Sequence, residues 1–156
     1  MESNDQTIRQ TLGKFRTQLI ETTYPPPQPT IDIDLSYARQ FTEEQVPQNI
    51  LCALGCIHDY VFERQLTIAY LKKRCNVSSN SLSGAFKYYV GKTPKQYINI
   101  RRVEAAARLL KDVQLQQASI TNIAMSVGYN RPSTFGKAFK RITGRPPGRW
   151  RKDRFK

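Results

Sequence analysis

From residue 47 onward the apolar positions recur every three or four residues almost without interruption, which predicts a run of short helices. Ile50, Leu51, Leu54, Ile57 and Val61 form one stripe after Pro47, a residue suited to a first helical turn. A short helix follows at about Ile68–Arg74, with Thr67 in place to cap it, then a turn at Asn76-Val77-Ser78. Ser78 is expected to cap the next helix, which runs to about Tyr89 and ends at Gly91. The longest helix is expected from Pro94 to Lys111, about 27 Å at 1.5 Å per residue, with Tyr97, Ile98, Ile100 or Arg101, Val103 or Glu104, Ala107, Leu109 and Leu110 as its stripe. After a polar loop at 112–118, Ser119 caps Ile120–Val127, Gly128-Tyr129-Asn130-Arg131 turns, and Pro132 opens a helix to about Ile142. Gly144-Arg145-Pro146-Pro147 closes it, and a last helix covers Gly148–Lys152.

Residues 1–46 read differently. Ile8, Leu12, Phe15 and Leu19 give residues 6–22 an amphipathic helical pattern. Pro25-Pro26-Pro27-Gln28-Pro29 ends any helix in an extended spacer, and residues 30–46 carry no period. The chain thus divides into an N-terminal extension (1–46) and an all-α unit (47–156).

That unit contains an internal repeat. LKKRCNVSSNSLSGAFK (71–87) and IAMSVGYNRPSTFGKAFK (123–140) both read as short helix, tight turn and second helix ending in Ala-Phe-Lys, the second with one extra turn residue. Leu82, Ala85 and Phe86 share one face, as do Phe135, Ala138 and Phe139. Each copy continues with Gly-x-x-Pro and then an aromatic, Tyr97 or Trp150. A three- or four-residue turn that crosses two helices near a right angle is the helix-turn-helix, whose second helix can enter a major groove. Ala124 is small where the helices of the second copy cross, Gly128 permits a positive φ in its turn, and Asn76 tolerates the same conformation in the first.

Charge sharpens the picture. Of 25 bases and 12 acids, residues 1–46 hold four and seven, a net of −3; residues 47–156 hold the remaining 21 and five, a net of +16. A polyanion is therefore expected on the repeat-bearing unit. No apolar run approaches the ~20 residues of a membrane span, and the polar start MESNDQTIRQ lacks a secretory core. The three cysteines, Cys52, Cys56 and Cys75, are expected to be reduced, and the protein cytoplasmic and nucleoid-associated. Cys52 and Cys56 lie one turn apart with His58 nearby, but the two thiols follow the apolar stripe and His58 does not; core packing is expected rather than a metal site or redox sensor. No cofactor is expected.

These features resemble the AraC/XylS family of bacterial transcription regulators over about residues 48–152, most closely at IAMSVGYNRPSTFGKAFKRITGRPPGRWR (123–151). The resemblance implies a seven-helix module of two helix-turn-helix subdomains, 47–93 and 112–156, joined by the linker helix 94–111. It implies a sequence-specific partner in double-stranded DNA, with both second helices in successive major grooves, and contact with RNA polymerase. In the first copy Lys72 replaces the usual small residue at the crossing.

The outward fronts of the second helices supply the expected base-facing positions: Asn80, Ser83 and Gly84, then Ser133, Gly136 and Lys137. Asn80 suits an adenine edge and Lys137 a guanine. The two glycines offer no side chain, Gly84 at a position where the family often has a reader, so phosphate contacts and DNA shape are expected to weigh more. Lys87, Lys92, Arg131, Lys140, Arg141, Arg145 and Arg149 are the candidate phosphate contacts. Leu82, Phe86, Phe135, Phe139 and Trp150 are expected in the core.

A non-specific architectural DNA binder is the second reading. An alkyl-transfer DNA-repair fragment is a third, disfavoured because no cysteine has a proton-transfer partner nearby in sequence; no catalytic motif is evident and the protein is not expected to be an enzyme. Residues 1–46 are too short for a ligand-binding domain and are open to three readings: a partner-binding tail, a homodimerising helix or a remnant of something longer.

Overall fold

The computed structural model describes residues 4–21 and 43–153, with residues 15–21, 43, 79 and 80 described by helix path alone. The Pro-rich spacer, most of 30–46, and the side chains of Phe15 and Leu19 lie outside the described residues. Within them the chain is entirely helical: α1 (Asn4–Glu21), α2 (Gln48–Tyr60), α3 (Ile68–Arg74), α4 (Ser79–Val90), α5 (Pro94–Lys111), α6 (Ile120–Ser126), α7 (Pro132–Thr143) and α8 (Pro147–Lys152), with short 3-10 turns at Glu43–Gln45 and Val113–Leu115. Helices α2 to α8 are the seven expected from residue 47 onward.

Local chemistry accounts for most of the boundaries. Thr67 and Ser119 cap as expected, their hydroxyls accepting from the amides of Tyr70 and Asn122 at 3.1 and 3.0 Å. Ser78 occupies the N-cap of α4 but makes no cap bond; its Oγ lies 3.3 Å from Ser81 Oγ instead. Helix α5 starts on a reciprocal capping box, Thr93 with Gln96, and has Pro94 in its first turn. Pro47 stands one residue earlier than a first-turn proline, at the N-cap of α2.

The expectation of a single apolar stripe on α5 needs correcting. Arg101, Arg102 and Glu104 are buried along with Ile100, Val103 and Ala105–Ala107, so every residue from Ile100 to Ala107 is enclosed. Helix α5 is an axle rather than a rod with one wet side: α4, α6, α7, α8 and α1 all pack on it. Trp150 is likewise half-buried rather than deep in the core, with its Nε1–H donating to the Ala107 carbonyl at 3.3 Å and Lys111 Nζ 4.4 Å from its ring centre.

Helix α1 packs within the chain, against α2, α5, α6 and the 113–115 turn. Ile8 and Leu12 join the same buried cluster as Ile57, Leu71, Phe86, Ile123 and Phe139. The described part of the predicted apolar face, Ile8 and Leu12, is thus covered within the chain by the seven-helix unit.

Candidate nucleic-acid interface

The internal repeat is repeated in geometry. Ser79–Val90 and Pro132–Thr143 are both 12 residues long, an offset of 53. Asn76 (φ 50) and Gly128 (φ 97) take left-handed conformations at the two turns. Across each turn an amide reaches back to the preceding helix: Val77 N–H donates to the Lys72 carbonyl at 3.0 Å, and Tyr129 N–H to that of Ala124 at 3.1 Å. Each second helix ends on a left-handed glycine, Gly91 (φ 79, ψ −5) or Gly144 (φ 77, ψ −7), whose amide donates to Lys87 or Lys140. The carbonyls of a helix's last turn lack intrahelical partners, and a left-handed glycine supplies one without steric cost.

Inward faces hold each second helix. Leu82 and Phe86 are fully buried in α4, and Phe135 and Phe139 in α7, where Phe139 meets Trp150 edge-on at 5.8 Å. The opposite faces are open. At the offset of 53, Asn80, Ser83 and Gly84 on α4 correspond to Ser133, Gly136 and Lys137 on α7. Gly84, Ser133 and Lys137 are exposed, and Ser83 and Gly136 half-exposed; Asn80 lies in the first turn of α4 with its side chain outside the described residues. A methyl group added at Gly84 or Gly136 would meet nothing within 4 Å. Lys87, Arg131, Lys140, Arg141, Arg145 and Arg149 are exposed and Lys92 is half-buried. Arg145 already has a carboxylate partner, its Nη1 lying 2.7 Å from Asp153 Oδ2.

One residue that ties the two halves together was not anticipated. Arg102, on α5, donates from Nε to the Val61 carbonyl at 2.7 Å and from Nη2 to that of Glu63 at 2.9 Å, both beyond the end of α2. The same guanidinium lies 5.7 Å from the Tyr129 ring centre and against Gly128, in the turn of the second pair. Tyr129 OH in turn donates to Asn99 Oδ1 at 2.9 Å. Arg102 therefore pins the second turn to the first subdomain through the axle. The available signal was a charged pair, Arg101-Arg102, set inside an otherwise apolar helical stretch.

A second, half-buried polar group links α2 to α5. His58 Nε2 lies 3.1 Å from Tyr97 OH, and Arg101 stacks 4.9 Å over the Tyr97 ring. Burial, then the Arg101 charge, lower the His58 pKa to about 4, with Asp59 opposing. The folded protein thus takes up this proton at lower pH than the unfolded chain. Stability contributed by neutral His58 is complete above about pH 6.5 and is lost as pH falls toward 4, reaching at most about 3 kcal/mol. Urea titrations should show His58→Gln losing less stability than the parent between pH 6.5 and 4. Parallel pH curves would show that His58 does not carry this proton linkage.

Two matched helix-turn-helix pairs on a shared axle, each with an apolar inner face and an open outer one, define a double helix-turn-helix DNA-binding domain. The comparisons agree. A family model described as a helix-turn-helix domain matches residues 71–153. A protein named as an AraC-like transcription regulator of Streptomyces lividans is 40% identical over 103 residues, 66% of this chain and 33% of that protein. The HTH-type transcriptional regulator AlkR of Acinetobacter baylyi is 35% identical over 99 residues, 64% and 31% of the two. Among solved structures, the C-terminal domain of AraT, a response regulator from Geobacillus stearothermophilus, matches with a TM-score of 0.63 and 29% identity, covering 70% of this chain and 88% of that one. The chain belongs to the AraC/XylS family of transcription regulators. It spans about a third of the length of these two relatives. Among the described residues no helix is long and apolar enough to cross a membrane.

Proposed function

We propose that residues 47–156 read a specific duplex site by setting α4 and α7 into successive major grooves on one face of the DNA, and that the protein regulates transcription from that site. The observation that carries this reading is the duplicated geometry: two second helices of equal length, launched by equivalent left-handed turns and held on one buried axle. In this reading 47–93 and 112–156 are the two heads and 94–111 the spacer, whose length of about 27 Å has the scale of the ~34 Å between successive grooves. Lys137 is the strongest base reader, suited to guanine O6 and N7, with Asn80 suited to adenine. Ser83 and Ser133 make shorter contacts, and Gly84 and Gly136 let the helix backbone come close. Lys87, Lys92, Arg131, Lys140, Arg141 and Arg149 hold the strands; Arg145 does so only by sharing itself with Asp153. RNA polymerase contact belongs to the same reading.

Selection of bound duplexes from a random pool tests this, followed by binding measurements on the winning site. Lys137→Ala should weaken that site by about 10- to 100-fold and relax preference at one base pair. Lys140→Gln should weaken all duplexes alike and reduce the salt slope by about one. A pool that yields no preferred sequence would refute specific reading. Gly84 and Gly136 favour a second reading, an architectural DNA binder, because two of the six outward positions carry no side chain; uniform protection in footprinting would support it.

A further inference from the structure

The cysteines are brought together by a part of the fold that DNA reading does not use. Cys52 lies in the second turn of α2, and Cys75 is the C-cap of α3, 23 residues later. Their sulfurs are 2.8 Å apart, about 0.8 Å beyond the ~2.05 Å of a disulfide bond. Cys52 is exposed and Cys75 half-buried, while Cys56, one turn further along α2, is buried. Among the described residues no group of three His, Cys, Asp or Glu side chains is arranged to hold a metal ion. A pair of free thiols, one open to solvent and the other at its back, is suited to two-electron oxidation.

We infer that Cys52 and Cys75 are a modification site at which hydrogen peroxide forms an intramolecular disulfide, stapling α3 to α2 at the base of the first helix-turn-helix. The thiolate of Cys52 attacks one peroxide oxygen: an S–O bond forms, the O–O bond breaks, and the departing hydroxide leaves as water after taking up a proton. Cys52 is then a sulfenic acid, its sulfur oxidised by two electrons and the peroxide reduced by two. Cys75 attacks that sulfur, the S–S bond forms, the S–O bond breaks, and the hydroxyl leaves with the Cys75 proton as a second water. Two thiols and one peroxide become one disulfide and two waters.

The order of events follows from exposure. Cys52 meets the oxidant, and Cys75 resolves the product. Burial and the hydrogen bond with Cys52 push the Cys75 thiol up to about 12, which agrees with the exposed Cys52 as the sulfur that meets the oxidant first. Burial also raises Cys56, which keeps this third thiol protonated and spares it. The staple closes a 24-residue loop that contains α3, immediately before the left-handed Asn76 turn that launches α4.

The test treats the full chain with hydrogen peroxide and reads intact mass, peptide mapping under non-reducing conditions, and melting temperature with and without a dithiol reductant. The expected product has lost two hydrogens, links the Cys52 and Cys75 peptides, leaves Cys56 free to alkylate after denaturation, and melts on the order of 10 °C higher, reversed by the reductant. Cys56→Ser should behave like the parent, whereas Cys52→Ser and Cys75→Ser should form no internal bond. A Cys52–Cys56 bond, a disulfide between two chains, or oxygen addition at Cys52 without linkage would overturn the inference. So would a Cys56→Ser variant that no longer forms the bond.

Discussion

Truncating Glu104 to alanine should destabilise the protein by about 3–5 kcal/mol, the range for breaking one half of a buried ion pair. Glu104 and Arg101 sit on the same face of α5, three residues apart, with 2.9 Å between Glu104 Oε2 and Arg101 Nη1. Both side chains are only 2% exposed. The pair is sparsely supported: among the described residues Arg101 Nε, Arg101 Nη2 and Glu104 Oε1 have no hydrogen-bond partner. Removing the carboxylate leaves a buried guanidinium with the Tyr97 interaction but no counter-charge beside it to offset its lost hydration. Denaturant melts should place Glu104→Ala far below the parent, and the double variant Arg101→Met/Glu104→Leu close to it, because apolar groups of similar volume carry no desolvation penalty. If the double variant is as unstable as the single one, packing rather than uncompensated charge sets the cost.

Gly128→Ala should cost about 3–5 kcal/mol as well, through two separable effects. The first is backbone strain: φ at Gly128 is +97, and a left-handed conformation costs an L-residue about 1–2 kcal/mol. The second is Arg102. A Cβ on Gly128 would stand 2.8 Å from Arg102 Nε, and the guanidinium cannot retreat without loosening its bonds to Val61 and Glu63. Hydrogen bonds from a charged donor are worth about 1.5–3 kcal/mol. Gly144 is the built-in control, with φ +77 and nothing within 4 Å of an added Cβ. Thermal melts should show Gly128→Ala down by roughly 10 °C and Gly144→Ala by much less. In an Arg102→Met background the Gly128→Ala cost should shrink to the backbone component. Equal costs in both backgrounds would show that the contact with Arg102 carries no energy.

The sequence disclosed the features that local rules govern. Caps at Thr67 and Ser119, prolines at the starts of α5 and α7, glycines after α4 and α7, and the 3.6-residue period together placed seven helices within a residue or two of where they lie. The repeat disclosed the paired turns, because Asn76 and Gly128 are residues that accept positive φ. Long-range juxtapositions stayed hidden. Nothing in the spacing of Arg102 announces that it reaches the carbonyls of Val61 and Glu63, about 40 residues earlier, and presses on Gly128. The period leaves Ile100 or Arg101, and Val103 or Glu104, as alternatives for one stripe; enclosure on all sides buries both members of each pair. Core packing is expected for both Cys52 and Cys56; Cys56 is buried, but Cys52 is exposed and its sulfur meets Cys75, which tertiary packing brings across from α3. Ser78 shows the opposite limit: the right residue in the cap position can still spend its hydroxyl elsewhere, here on Ser81.

Under the proposed reading, the Arg102 rivet has a consequence for the DNA site. With the second turn fastened to the end of α2 through α5, Arg102 ties the two proposed heads to one angular phase. In that reading, one base pair inserted between their half-contacts rotates the far half-site by about 34°, and the Arg102 bonds resist any turning of one head to follow it. The duplex would then over- or underwind to restore alignment, so on the proposed reading the deformability of bases the protein never touches becomes part of what it selects.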